Sequence, residues 1–196
     1  MNIASAGFAA FTLREQPMSN FDFPRWQSVA AITLLGVLTG LDPHMTAPQP
    51  GLPEAAVMSP GMAMGFSVVL IWACFLMGFW VVRWWVRRGG RWDGQGDLFN
   101  LVAAMWFVPD TLAAVLTILG VPALLVSVLW LYSIWVAGNA LEGAIPRVSL
   151  GYAIGGIGIS VVLMMLVLGV FSVGLGVFLM GGIPPAPSGV VGAGGG

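Results

Sequence analysis

The sequence predicts an all-α polytopic membrane protein, a single bundle of five spanning helices with its N-terminus on the cytoplasmic side. Three observations carry this reading. The chain is 58% hydrophobic and 8% charged, against about 25% charged in a soluble domain, so most of its surface must face lipid. Its apolar runs are long and do not alternate. That fits helices, which satisfy their own backbone in lipid, and not the alternating strands of a transmembrane barrel. All seven basic residues are arginine. If five runs cross, Arg14 and Arg25, then Arg83, Arg87, Arg88 and Arg91, then Arg147 all fall on one side, and arginine-rich loops stay cytoplasmic. The proline-rich loop and the C-terminal tail are then outside.

Residues 1–24 precede the first span. The first residues lack the basic start and cleavage site of a signal peptide. Phe8, Phe11 and Leu13 suit a short interfacial helix with Arg14 among the head groups; a flexible terminus is the alternative. The membrane domain occupies residues 25–183. Its first span, about 26–41, reaches about 24 Å, short for a hydrocarbon core of roughly 30 Å. Removing it would put Arg14 and Arg25 on the wrong side, so it is kept.

Residues 42–60 carry Pro43, Pro48, Pro50, Pro53 and Pro60. Proline at this density blocks helix and strand, which predicts an exposed loop. His44 is the one histidine, so a metal site, which needs several convergent ligands, is not expected there. The second span, about 61–86, ends in Trp80, Trp84 and Trp85 beside Arg83 and Arg87. Indole rings and arginine stems both favour the head-group level. After a Gly-rich charged loop comes the third span, about 98–119. Gly120, Val121 and Pro122 then force an antiparallel hairpin with the fourth, about 123–141. From Leu150 to Ile183 no residue is charged. That stretch predicts one long or tilted helix, about 151–180, and a disordered tail over 184–196.

Three segments resemble the Yip family, membrane proteins first known as partners of Rab-type GTPases. GGRWDGQGDLFNLVAAMWFVP is similar to the family's Gly-rich cytosolic loop and the span with a central proline that follows. ILGVPALLVSVLWLYSIWVAGNAL is similar to its tight turn and Trp-containing fourth span. GAIPRVSLGYAIGGIGI is similar to its short loop and the small-residue start of the last span. The likeness covers about residues 80–170. It implies the same five-span plan with the N-terminus inside and a role in organising membranes. The short N-terminal region matches bacterial members, and the lysine-free, Ala-, Gly- and Arg-rich composition points to a bacterial cytoplasmic (inner) membrane.

Asp110 is the one acid deep in an apolar run. A charged Asp at mid-span costs about 2.5–3.5 kcal/mol on insertion scales, and such residues face the bundle interior and mark ion or proton paths. Pro109 before it frees a backbone carbonyl. Thr111 follows it, and depth matching puts Trp130, Tyr132 and Ser133 opposite. The plainer alternative is polar pairing between helices. Arg83, Arg87, Arg88 and Arg91 are candidates to hold anionic lipid or a partner's acidic patch, or they only set topology. Gly36 and Gly40, Gly61 and Gly65, and Gly151 and Gly155 are pairs at the spacing that lets helices approach closely, with Gly151 and Gly155 the favoured pair. Trp130 and Trp135, with Tyr132 and Met164 or Met165, line a cofactor pocket or simply pack.

No haem ligand pair, phosphate loop, calcium loop or nucleophile with a base is present, so neither cofactor nor catalysis is expected. A net charge of −1 gives no reason to expect nucleic acid. Cys74 stands alone and forms no internal disulfide. Two functions follow. The first is a non-catalytic Yip-type scaffold that organises lipid or other membrane proteins, as a homo-oligomer or an accessory subunit of a larger complex. The second is a small transporter, channel or proton-conducting subunit using Asp110.

Overall fold

The computed structural model describes residues 1–47 and 57–181. Its α-helices are α1 Ile3–Phe11, α2 Arg25–Gly40, α3 Pro43–Thr46, α4 Pro60–Arg88, α5 Leu98–Ile118, α6 Ala123–Ala144 and α7 Leu150–Gly181, with a short 3-10 turn at Met18–Phe21. No strand occurs among the described residues.

Local chemistry sets the boundaries. Asn2 and Ser5 form a reciprocal capping box on α1. Pro24 precedes α2. Ser59 caps α4 and Pro60 fills its first turn, where a missing N–H costs nothing. Asp97 accepts from the N–H groups of Phe99 and Asn100 to start α5. Gly120, at φ +78°, and Pro122 turn the chain into α6. The Glu142 carboxylate accepts from the N–H of Leu150 at the start of α7.

Helices therefore stand at all five places where the sequence predicts spans. Four of them, Pro60–Arg88, Leu98–Ile118, Ala123–Ala144 and Leu150–Gly174, are long and apolar enough to cross a membrane. The fifth, α2, has 16 residues and is not among them. Its length of about 24 Å is the physical reason. The final apolar run is one continuous helix to Gly181; the predicted tail over 184–196 lies outside the described residues. The predicted loop over 42–60 is partly helical. Asp42 caps one turn at Pro43–Thr46, with Pro43 at its first position, where proline is preorganised. Residues 48–56 of that loop lie outside the described residues.

The five long helices close a ring in which α2 touches α4, α4 touches α7, α7 touches α6, α6 touches α5, and α5 returns to α2. At one end, here called the arginine end, lie the start of α2, the end of α4, the start of α5, the end of α6 and the start of α7. Arg25 there meets Asp97 at 2.6 Å, and Arg91 donates to the Arg147 carbonyl. Two of the ring contacts are unusually close or specific. On the α2–α4 seam, a Cβ at Gly36 would stand 2.7 Å from the Cα of Val68, and one at Gly40 2.5 Å from the Cα of Met64. The Trp72 indole donates to the Thr33 hydroxyl on the same seam. On the α4–α7 seam, Trp85 and Tyr152 exchange hydrogen bonds.

This arrangement reassigns the glycine pairs. Gly36 and Gly40 are the close helix contact. A Cβ added at Gly61, Gly65 or Gly151 would meet nothing within 4 Å among the described residues, so none of the three is a close helix contact there. Gly155 makes an ordinary contact with the Trp85 ring, while its neighbour Gly156 lies tightly under the indole. The reason is that α7 meets α4 through aromatic rings rather than backbone, so the favoured pair Gly151 and Gly155 is not where two helices touch most closely.

Residues 1–24, which the sequence left as interfacial or flexible, form part of the packed bundle. α1 buries Ile3, Ala6, Gly7 and Ala10 against α5 and α6. Gly7 sits against the Ala104 carbonyl. Tyr132 donates to the Phe11 carbonyl at 2.7 Å, and its ring meets the Phe11 ring edge-on at 5.4 Å. Behind α1, Phe21 and Phe23 are buried. Their carbonyls accept from the Asn100 amide, whose oxygen accepts from the Ser28 hydroxyl. Asn100 is fully buried and is the polar joint between α2, α5 and the N-terminal segment. A buried amide with every partner satisfied stabilises one arrangement over others.

Candidate functional site

The inside of the ring is filled at one level and open at another. Toward the arginine end, Phe75 is completely buried and meets Phe99, Trp106 and Trp72 edge-on at 5.2, 5.6 and 5.8 Å. Phe79 adds a further contact with Phe99. Edge-to-face pairs of this kind each contribute about 0.5–1.5 kcal/mol beyond burial. Beyond this aromatic floor lies a cavity of about 520 Å³, inside the usual range of small-molecule sites, roughly 300–1,000 Å³.

All five long helices line that cavity. α2 supplies Leu35 and Thr39, α4 supplies Ile71 and Cys74, and α5 supplies Met105, Trp106, Asp110 and Thr117. α6 supplies Trp130, Ser133 and Ile134, and α7 supplies Ile157, Met164, Met165 and Leu168. The wall is aromatic, sulfur-bearing and aliphatic, and Asp110 is its one ionisable carboxylate. Arg25–Asp97 is the arginine–carboxylate pair among the described residues, and no cationic side chain lines the cavity around Asp110. Pro109 is buried within α5. It withdraws the hydrogen bond that the Met105 carbonyl would otherwise accept, one turn below Asp110.

The neighbours differ in part from those depth matching gives. Trp130 and Ser133 share the cavity with Asp110. Tyr132 does not: it lies off the stripe 130, 133, 134 and 137 by which α6 faces inward, and binds α1 instead. Matching depth without helical phase misplaces it. Thr111 does not line the cavity either, and its buried hydroxyl has no hydrogen-bond partner among the described residues. Met164, Met165 and Trp130 line the cavity, at whose open side Trp130 and Met165 are themselves exposed, whereas Trp135 does not line it.

The arginines are occupied in a way that spacing alone does not give. The Arg83 guanidinium lies 5.7 Å from the Trp80 ring, Arg87 5.4 Å from Trp92, and Arg88 5.0 Å from Trp84. Arg91 lies 4.0 Å from the Tyr152 ring. Cation–π contacts of this kind anchor the charged end of α4. The His44 ring meets the Asp42 carboxylate at 2.8 Å. Among the described residues no group of three or more metal-ligating side chains occurs.

The outward faces of α6 and α7 are apolar: Leu124 is 78% and Val170 71% exposed. Such a surface suits lipid and not water. No family model, curated protein or solved structure matches the chain.

Proposed function

We propose that this is a non-catalytic membrane protein that holds a small lipophilic cation in its central cavity, as a carrier or conducting subunit. One observation carries the reading: a mostly apolar cavity, walled by all five helices, contains a single carboxylate with no cationic partner. An intramembrane carboxylate facing a cavity is a functional position by default. Trp106 and Trp130 line the same cavity, and indole rings attract organic cations. The continuous polar path of a water-filled channel is not what the lining offers; Thr39, Thr117 and Ser133 are scattered among apolar side chains.

The proposed setting is a bacterial cytoplasmic membrane, with α2 completing five crossings and the arginine end in the cytoplasm. The seven arginines support it through the positive-inside rule. The test of the function is binding of tetraphenylphosphonium to the purified protein, read by tryptophan quenching. Asp110→Asn should abolish saturable binding, and Ser133→Ala should leave it within about threefold. Equal binding by wild type and Asp110→Asn would sink the proposal.

The second reading is a Yip-type scaffold. It is supported by the tight turn at Gly120–Pro122, the intrahelical Pro109 and the outward glycines Gly61, Gly65 and Gly151, which leave room for a neighbouring helix. Gentle-detergent purification from native membranes separates the two. A fixed set of co-purifying membrane proteins supports the scaffold, and a partner-free particle that binds the cation supports the carrier.

A further inference from the structure

We infer that the arginine end carries a second site, a pocket for a zwitterionic head group that bears both a phosphate and an ammonium. A cavity of about 830 Å³ opens there, between the segment leading into α2, the loop before α5 and the loop after α6. All three segments adjoin the ends of apolar helices, the level at which lipid head groups lie.

Three arginines and three aspartates line it: Arg25, Arg91, Arg147, Asp22, Asp93 and Asp97. Arg25 and Asp97 pair at 2.6 Å, and Asp97 also caps α5, so this pair is part of the frame. The other four form no ion pair among the described residues. Arg91 lays its guanidinium over the Tyr152 ring at 4.0 Å and spends one donor on the Arg147 carbonyl at 3.1 Å; its remaining in-plane N–H groups are the ones open to a ligand. Arg91, Arg147, Asp22 and Asp93 thus share one open pocket without pairing with each other; Asp22, Asp93 and Arg147 are exposed, and one Asp93 oxygen accepts from the Gln95 N–H. A purely anionic ligand would face Asp22 and Asp93 at a cost. A purely cationic one would face Arg91 and Arg147. A ligand of both signs satisfies all four, through the charge-assisted hydrogen bonds that guanidinium and carboxylate make best.

Arg83, Arg87 and Arg88 do not line the pocket; Arg87 alone adjoins it, through Trp92, which is part of the lining and carries the Arg87 guanidinium on its ring. The inference also stands apart from the central cavity and its proposed cation.

The test uses the full chain in detergent, with lipid retention read by native mass spectrometry. The probes are phosphatidylethanolamine, phosphatidylglycerol and soluble phosphoethanolamine. Wild type should retain phosphatidylethanolamine about tenfold better than phosphatidylglycerol, which lacks the ammonium. Asp22→Asn with Asp93→Asn should erase that preference, and Arg147→Gln should weaken retention of both lipids. Because the preference is a ratio within one variant, loss of folded protein does not imitate its loss. Displacement of the lipid by soluble phosphoethanolamine supports the same chemistry from a water-borne source; retention of the lipid alone supports a membrane source. Equal retention of the two lipids by wild type, a preference that survives the double Asp variant, or no binding of any probe would overturn the inference.

Discussion

Trp85 and Tyr152 hold each other by reciprocal hydrogen bonds. The Tyr152 hydroxyl donates to the Trp85 carbonyl at 2.7 Å, and the Trp85 indole donates to the Tyr152 carbonyl at 3.0 Å. Their rings lie 5.1 Å apart, so a single pair fixes α7 to α4 near the arginine end. Tyr152→Phe removes one of the two bonds and should lower stability by about 0.5–1.5 kcal/mol. Combined with Trp85→Phe, the loss should fall short of the sum of the single losses, because the pair acts as a unit. Thermal unfolding of the four proteins in one detergent checks this; strict additivity would mean that the two bonds are independent.

Asn100 is the residue whose loss should be felt most. Replacing it by leucine strands the Ser28 hydroxyl and the carbonyls of Phe21 and Phe23 inside the bundle. The expected loss is about 2–4 kcal/mol, and protease should then cut residues 1–24 at concentrations that spare wild type. An unchanged melting temperature would show that water replaces the amide at no cost.

Gly40 and Gly65 are predicted to part company. Gly40→Ala drives a methyl group toward the Met64 backbone and should cost about 1–3 kcal/mol. Gly65→Ala, whose methyl group meets nothing within 4 Å among the described residues, should be neutral or stabilising by up to about 1 kcal/mol, since alanine favours helix. Parallel melting curves of the two variants decide it; equal destabilisation would undo the α2–α4 packing described above.

The proposal that α2 completes five crossings has a direct chemical test. In a Cys74→Ala background, single cysteines at Arg14, Ala47, Gly120 and Pro146 are exposed to a membrane-impermeant maleimide in right-side-out vesicles. Cysteines at Ala47 and Gly120 should react at once, and those at Arg14 and Pro146 only after permeabilisation. Reaction of the Arg14 and Ala47 positions from the same side would mean that α2 does not cross.

Much of this architecture was legible because lipid imposes it. Long apolar runs bounded by Pro24, Ser59–Pro60, Asp97 and Pro122 leave the backbone little choice but helix, and the isolation of Asp110 in such a run marks an inward-facing position. What stayed hidden depends on contacts remote in sequence. The stripe Ile3, Ala6, Gly7 and Ala10 is short and mostly small, so nothing in its pattern names α5 as its partner. Asn100, near the start of a run, reads as ordinary interfacial polarity until Phe21 and Phe23 are placed beside it. The pairing of arginines with rings, and the mixed-charge pocket, likewise need three separate loops in one place.

The amide of Asn100 also sets an order of events during synthesis. Its partner carbonyl on Phe21 lies 79 residues earlier in the chain. At about 5–20 residues per second, the N-terminal segment emerges roughly 4–16 s before the group that will hold it. Until α5 arrives, Phe21 and Phe23 have no interior to enter, and the early chain must wait at the membrane surface or in the care of the insertion machinery. Burial of Phe21 and Phe23 is thus timed by the third apolar run to be made after them, and a ribosome stalled before Asn100 would display those two phenylalanines unburied.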